Sequence, residues 1–213
     1  MLSDLLKWGG KRPEQSGAAA DVRGDEPAVP SKALPKFLTA LTNRESPVLL
    51  DFGPVLGSNV AFFGERLGCK LFIEDLVSEY ARHVAAGTTK TLPDVFASRF
   101  RHEDGTVDGV LCWDFFDFLD KPAAAALAQQ ILRMLRPGGA VMGFFCTASV
   151  AHAPFTKYEI VDDKTLRHRA HSGPGAAKHV LQNRDIIRMF DGLIVSDSFL
   201  LKSNTREILL RRR

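Results

Sequence analysis

The sequence has few of the residues that mark a metal site, a membrane protein or a nucleic-acid-binding protein. Its three cysteines lack metal-ligand spacing and are odd in number, so we predict buried, reduced thiols and no metal. No apolar run approaches the ~20 residues that span a bilayer. A net charge of +3 is too small to indicate nucleic-acid binding. These absences favour a cytoplasmic protein without a membrane segment.

The composition that remains is that of a globular protein, with 45% hydrophobic and 25% charged residues. Residues 1–30 are rich in glycine, proline, alanine and charge, and predict a flexible N-terminal leader. Residues 31–213 then form a single domain. From residue 151 onward, 12 Lys and Arg accompany 7 Asp and Glu. This excess is either a solvated face or a cationic rim for an anionic substrate or partner.

Residues 48–75 predict a strand, a turn, a helix and a second strand. The first apolar run ends at Asp51, and the second ends at Glu74 and Asp75. Three residues that favour a tight bend lie between the first strand and the helix: Gly53, Pro54 and Gly57. Such a unit joins two parallel strands by a right-handed crossover, and its turn is where this architecture holds a nucleotide-like ligand.

Helical and apolar strand-like segments alternate along most of the remaining chain. This alternation predicts a parallel sheet that is covered on both faces. Residues 158–161 and 166–169 are typical of a hairpin or paired edge strands, and a tight turn joins the last two strands as antiparallel neighbours. The predicted fold is α/β, with a doubly wound, mostly parallel seven-stranded sheet that ends in an antiparallel C-terminal strand.

The order of these signals resembles the class I S-adenosylmethionine-dependent methyltransferases over residues 31–213. The stretch Asp51–Gly57, DFGPVLG, is similar to the family's Asp/Glu-x-Gly-x-Gly-x-Gly turn, with Val55 in place of the middle glycine. Leu135–Gly139, LRPGG, is similar to the turn before the family's fifth strand. WDFF at residues 113–116 is similar in form to the stretch after its fourth strand. The resemblance implies a Rossmann-like fold and S-adenosyl-L-methionine as the cofactor.

The resemblance also implies which residues hold that cofactor. Glu74 would accept hydrogen bonds from both ribose hydroxyls. Asp51 would hold the turn or the ligand's ammonium group, and Asp114 would contact the methionyl amine or the substrate. Trp113 or Phe115 would lie against the sulfonium, because aromatic faces attract cations. The complete set is Asp51, Gly53, Pro54, Gly57, Asn59, Glu74, Asp75, Trp113 and Asp114.

Several of these positions have a structural alternative that the sequence leaves open. Asp51 is also suited to capping the turn that follows it, and Glu74 with Asp75 to opening a helix. Trp113 is also suited to the core. Val55 adds bulk and resists a positive φ, so the turn either takes a different path that accepts the ligand or narrows the pocket.

Two functions therefore compete. The first is methyl transfer to an unidentified small-molecule acceptor beneath an insert at residues 147–182, with no catalytic residue demanded by the chemistry. The alternative is a non-catalytic methyltransferase-like protein that acts as a binding or assembly subunit. Its protein contacts would be residues 1–30 or the basic C terminus. A nicotinamide-dependent oxidoreductase is disfavoured by the antiparallel finish and by the lack of a Tyr-x-x-x-Lys pair.

Overall fold

The computed structural model of the protein describes residues 26–171 and 175–213, which form an α/β fold. The α-helices are α1 (Ala33–Thr42), α2 (Gly57–Val60), α3 (Leu76–Ala86), α4 (Leu92–Arg99), α5 (Lys121–Met134) and α6 (Asn183–Met189). The strands are β1 (Ala28–Pro30), β2 (Val48–Asp51), β3 (Lys70–Ile73), β4 (Val107–Trp113), β5 (Leu135–Cys146), β6 (Val150–Ala153), β7 (Thr156–Ile160), β8 (Thr165–Ala170), β9 (Ala176–Lys178), β10 (Leu193–Leu200) and β11 (Thr205–Arg212). None of these helices is long and apolar enough to cross a membrane.

The central sheet has the strand order β10-β11-β5-β4-β2-β3. Strands β3, β2, β4 and β5 are parallel neighbours, and β11 runs antiparallel to both β5 and β10. The predicted antiparallel C-terminal strand is therefore confirmed. Because the four neighbouring strands are parallel, their carboxyl ends lie at one edge of the sheet, where ligands bind in open α/β sheets.

The prediction of seven strands is wrong, because within the described ranges this sheet has six. The chain between α4 and β4 does not pair with β3. Instead, the guanidinium of Arg133 in α5 donates to the carbonyls of Phe100 and His102, at 3.1 and 2.7 Å. These carbonyls are thus held by a helix side chain rather than by a strand ladder. The outer edge of β3 stays open, and Phe72 is 44% exposed there.

Two apolar clusters lie on opposite faces of the sheet. On one face, α1 packs through Phe37 and Leu41 against Leu49 of β2 and Leu111 of β4. On the other face, α3, α4 and α5 pack over the residues of β2 and β4 that alternate with these. This arrangement follows from the period of two along a strand, which sends successive side chains to opposite faces.

Smaller sheets cover the carboxyl edge. β7 and β8 form the predicted hairpin, and β6 pairs with β9. β1 pairs with β8, with Ala28 opposite Arg167 and Pro30 opposite Thr165. The end of the predicted leader thus belongs to a sheet, while its residues 1–25 lie outside the described ranges. The division into leader, domain and insert stays a prediction.

Candidate functional site

Three carboxylates follow three neighbouring parallel strands. Asp51 ends β2, Glu74 follows β3, and Asp114 follows β4. The backbone links the first two, because the Glu74 N–H donates to the Asp51 carbonyl at 2.8 Å. Acidic groups predicted from separate parts of the sequence are thus brought to one edge of the sheet. We call Asp51, Glu74 and Asp114 the acidic edge.

Asp51 organises the turn that follows β2. Its side chain is only 1% exposed, and Oδ1 accepts hydrogen bonds from the Gly53 N–H at 2.8 Å and from the Trp113 indole N–H at 2.6 Å. Burial raises the pKa of Asp51 to about 6, although both hydrogen bonds oppose the shift. This carboxylate therefore holds the turn, which is one of the roles that the sequence left open for Asp51.

Trp113 fills the space beside the turn. A Cβ on Gly53 would lie 2.8 Å from the Trp113 indole nitrogen, so glycine is needed for this approach. Trp113 also has φ 50°, a left-handed conformation that is unfavourable for a bulky residue. Its ring stacks on Tyr158 of β7 at 5.0 Å between centroids, and Tyr158 stacks in turn on Phe144 at 4.8 Å. An aromatic stack thus joins the sheet edge to the insert.

Glu74 and Asp75 have different roles in this conformation. Oε2 of Glu74 accepts from Nε of Arg99 at 3.2 Å, and the same guanidinium donates to the Glu74 carbonyl at 2.6 Å and contacts Glu79. Asp75 caps α3, because its Oδ1 accepts the Ser78 N–H at 3.1 Å. The helix-opening alternative therefore describes Asp75, while Glu74 is 21% exposed and paired with a cation.

Asp114 lies in a buried ion pair with a lysine from the insert. Its side chain is 5% exposed, and Oδ2 is 2.6 Å from Nζ of Lys178 in β9. The same ammonium lies 3.9 Å from Asp117 and 4.9 Å from the centroid of the Phe118 ring. Lys178 therefore supplies one positive charge to two acids at the end of β4, and lies closer to Asp114.

Asp117 is the second acid of this group. Its Oδ2 accepts the N–H of Cys146 at 2.9 Å, while Oδ1 is buried with no hydrogen-bond partner among the described residues. Burial raises the pKa of Asp117 to about 7, although the Lys178 charge lowers it. Nearby Asp114 and Asp117 also help to raise the pKa of the buried Tyr158 hydroxyl, for which burial is the main cause.

The remaining residues of the predicted set lie around the start of α2. The side-chain amide of Asn59 donates to the Tyr158 carbonyl at 2.9 Å and accepts the Ile160 N–H at 2.8 Å, so it fastens α2 to β7. Gly57 has open space around it, and Pro54 is half-buried. Val55 is 65% exposed, so its side chain is not buried within the turn.

The residues that sequence reasoning missed are the cations that pair with the acidic edge. Arg99 lies in α4, 25 positions after Glu74, and Lys178 lies 64 positions after Asp114. Neither spacing carries a local motif. Only the basic composition of the last third of the chain pointed to cations near a ligand site, and it did not single out Lys178.

Beside Glu74 is an open cavity of about 420 Å³ at the free edge of β3. It is lined by Phe72, Glu74, Arg99, Arg101 and His102. The His102 ring meets Phe72 edge-on at 4.8 Å. The carboxylate predicted to bind ribose therefore borders solvent-accessible space, unlike Asp51 and Asp114.

Comparison with known proteins supports the fold. No family model and no curated protein matches this sequence. Among solved structures, the PH0226 protein from Pyrococcus horikoshii OT3 has a TM-score of 0.52 and 12% identity, over 84% of this chain and 88% of that one. The CcbJ methyltransferase from Streptomyces caelestis has a TM-score of 0.50 and 15% identity, over 84% and 94%. At these identities the likeness shows the fold alone, an α/β fold similar to that of these two proteins.

Proposed function

We propose that the protein is an S-adenosyl-L-methionine-dependent methyltransferase that acts on a small-molecule acceptor. The observation that carries this proposal is the acidic edge: Asp51, Glu74 and Asp114 end three neighbouring parallel strands. It is supported by a fold that is similar to that of a methyltransferase at a TM-score of 0.50. The crevice at the carboxyl ends of such strands is the usual ligand site of open α/β sheets.

The chemical types at the acidic edge fit this cofactor. Glu74 would accept both ribose hydroxyls, and Asp114 would accept the ligand's ammonium group. Lys178 is already an ammonium group held at 2.6 Å by Asp114, so this carboxylate suits a cation of that kind. Asp51, with Gly53, Pro54 and Gly57, would shape the turn. The fit in space requires a rearrangement, because the Trp113 indole occupies the volume beside Gly53.

The chain's own contribution is to align the reactants and exclude water. When bound, the cofactor would supply an electrophilic methyl group to a lone pair of the acceptor, with the sulfur as the leaving group. Arg99 and Lys178 keep Glu74 and Asp114 neutralised until ligand groups replace them. Before the ligand binds, the stack of Trp113, Tyr158 and Phe144 fills one side of the turn.

Calorimetric titration with S-adenosylmethionine, S-adenosylhomocysteine and NAD tests the proposal. We expect micromolar binding of the first two, no binding of NAD, and at least tenfold weaker binding in Glu74→Gln, because a charged acceptor of hydrogen bonds is lost. The matched control is Glu79→Gln, which also removes a carboxylate partner of Arg99 but leaves Glu74 in place. A folded chain that binds neither methyl donor nor its product contradicts the proposal and favours a non-catalytic binding protein.

Fluorescence gives an independent readout of the rearrangement. In a Trp8→Phe background, Trp113 is the sole tryptophan of the chain. Saturating S-adenosylhomocysteine should change its emission, because the indole has to leave its site against Gly53 and Tyr158. Binding by calorimetry with unchanged emission would show that the ligand enters without displacing Trp113.

A further inference from the structure

A second cavity lies at the carboxyl end of β5, on the side of the sheet edge away from Glu74. Its volume is about 520 Å³, which is within the range of small-molecule sites, and it is open to solvent. Its lining includes Thr147, Gln182, Asn183, Arg184, Leu200 and Arg206. We call it the basic cavity.

The two arginines of the basic cavity have no acidic partner in the described chain. One η-nitrogen of Arg206 donates to the Asn183 amide oxygen and the other to the Leu181 carbonyl at 2.7 Å, while Nε is buried without a partner. Arg184 is exposed and forms no ion pair with a described residue. Within residues 26–171 and 175–213, no aspartate or glutamate lines the cavity. The half-buried guanidinium of Arg206 bonds only neutral acceptors, so no counter-charge from the described residues offsets its positive charge. A bound anion would supply one and would offset the cost of desolvation.

A neighbouring cavity shows that this lack of acid is local. It lies between α5 and α6 and is lined by Lys121, Asp185 and Arg188 among others. There, an acid accompanies the two cations. The basic cavity differs in charge although both cavities border α6. This contrast also supplies a matched control, because Arg188 is exposed on the same helix as Arg184.

Two short stretches of the chain link the lining of the basic cavity to the acids at the end of β4, Asp114 and Asp117. Thr147 directly follows Cys146, whose N–H donates to Asp117. Val180, which lines the cavity, lies two residues after Lys178, the partner of Asp114. Since neighbouring strands are about 4.8 Å apart, the β5–β11 end lies roughly 10 Å from the β2–β4 end. A small molecule can span that separation.

We propose that the basic cavity binds the anionic group of the methyl acceptor, a small organic carboxylate or phosphate with an apolar portion. The planar guanidinium groups of Arg184 and Arg206 suit either anion in a bidentate arrangement. Val180 and the 70% exposed Leu200 offer an apolar wall for the rest of the molecule. The role as an acceptor site rests on the proposed methyltransferase function, whereas anion binding by the cavity does not.

The test is a titration of the full ¹⁵N-labelled chain with phenyl phosphate, phenylacetate and, as a neutral probe, benzyl alcohol. We expect saturable shifts of the Thr147, Asn183 and Arg184 amides with at least one anion and none with benzyl alcohol. Arg184→Ala should weaken anion binding about tenfold, because a charge-assisted hydrogen bond is lost. Arg206→Gln should do so as well, and Arg188→Ala should leave it unchanged.

The outcomes separate the two proposals. Saturable binding that depends on Arg184 or Arg206 supports the anion site, and the tighter of the two anions identifies its chemistry. Unsaturable shifts, or binding equally affected by Arg188→Ala, would overturn it. The side chain of Arg184 bonds no described residue, so Arg184→Ala should leave the fold intact. It therefore tests anion binding even where Arg206→Gln destabilises the fold. Anion binding in a chain that fails to bind S-adenosylhomocysteine would overturn the acceptor role while leaving the anion site in place.

Discussion

At the ends of β2, β3 and β4, each carboxylate of the acidic edge accepts a donor from the chain itself, whereas at the end of β5 two arginines have no acidic partner among the described residues. The first region is closed around Asp51 and Asp114, while Glu74 borders an open cavity, and the basic cavity is open to solvent. The difference indicates that the two regions meet a ligand in different ways. At the acidic edge, ligand groups have to replace partners within the chain. In the basic cavity, an anion would pair with arginines that have no acidic partner among the described residues.

The sharpest way to break this comparison is to remove the cation of the closed region. Lys178→Met leaves Asp114 and Asp117 buried without their counter-charge, so we expect the free energy of unfolding to fall by about 3 kcal/mol. Urea unfolding at pH 7.5 measures it, with the exposed Lys202→Met as control. The double variant Lys178→Met/Asp114→Asn should recover part of the loss. A loss for Lys178→Met no larger than that of the control would show that the ion pair does not close the region.

A second test uses the raised pKa of Asp117, about 7 against an ordinary value of 3.8. Between these values the folded chain holds a proton that the unfolded chain has released, so the free energy of unfolding falls as pH rises. In Asp117→Asn, the decrease between pH 5 and pH 7 should be smaller by about 2 kcal/mol. Urea unfolding across that range checks this, with the exposed Asp163→Asn as control. An unchanged pH dependence would indicate that Asp117 stays ionised.

The third prediction separates two glycines of the turn. Gly53→Ala puts a Cβ 2.8 Å from the Trp113 indole nitrogen, and the overpacking should cost about 1–2 kcal/mol. Gly57→Ala meets open space at the start of α2 and should be neutral or slightly stabilising. Thermal unfolding of the pair measures both. Equal effects at the two positions would mean that Trp113 does not lie against Gly53.

The smallest effect is expected in the open region. Arg184→Ala should change the free energy of unfolding by less than about 0.5 kcal/mol, because an exposed side chain without an ion pair contributes little. The measurement is the same urea titration that is used for Lys178→Met. A loss comparable to that of Lys178→Met would mean that the basic cavity is also closed by internal contacts.

Much of the sheet could be predicted from the sequence, because β2, β3 and β4 are mainly apolar runs that end at or just before an acid. The predictions of the β7–β8 hairpin and of the antiparallel final strand are also confirmed. Both depend on tight turns, which neighbouring residues in the sequence encode. The count of seven strands came with the family resemblance and not from an apolar run, and the sheet of the described residues has six. Beyond the edge of β3, the carbonyls of Phe100 and His102 accept hydrogen bonds from the side chain of Arg133. Strand pairing at an edge depends on distant side chains.

The candidate site was less predictable than the sheet. The positions of Asp51, Glu74 and Asp114 follow from the strands that precede them, but their partners do not. Asn59 illustrates the limit: its place at a helix start suggested a ligand contact, whereas its amide bonds the backbone of β7, about 100 residues away. Contacts of such separation carry no periodicity that a single sequence displays.

The pairing of β1 with β8 also has a kinetic consequence. Arg167 donates to the carbonyl of Glu26 across 141 positions of sequence, so this attachment closes a very long loop. Because closing a long loop costs entropy, we expect these exposed contacts to form late in folding and to open early in the native state. Backbone amides of β7 and β8 should accordingly exchange with deuterium sooner than those of β4 and β5. The covering of the acidic edge would then detach as a unit, at a lower free energy than the sheet beneath it.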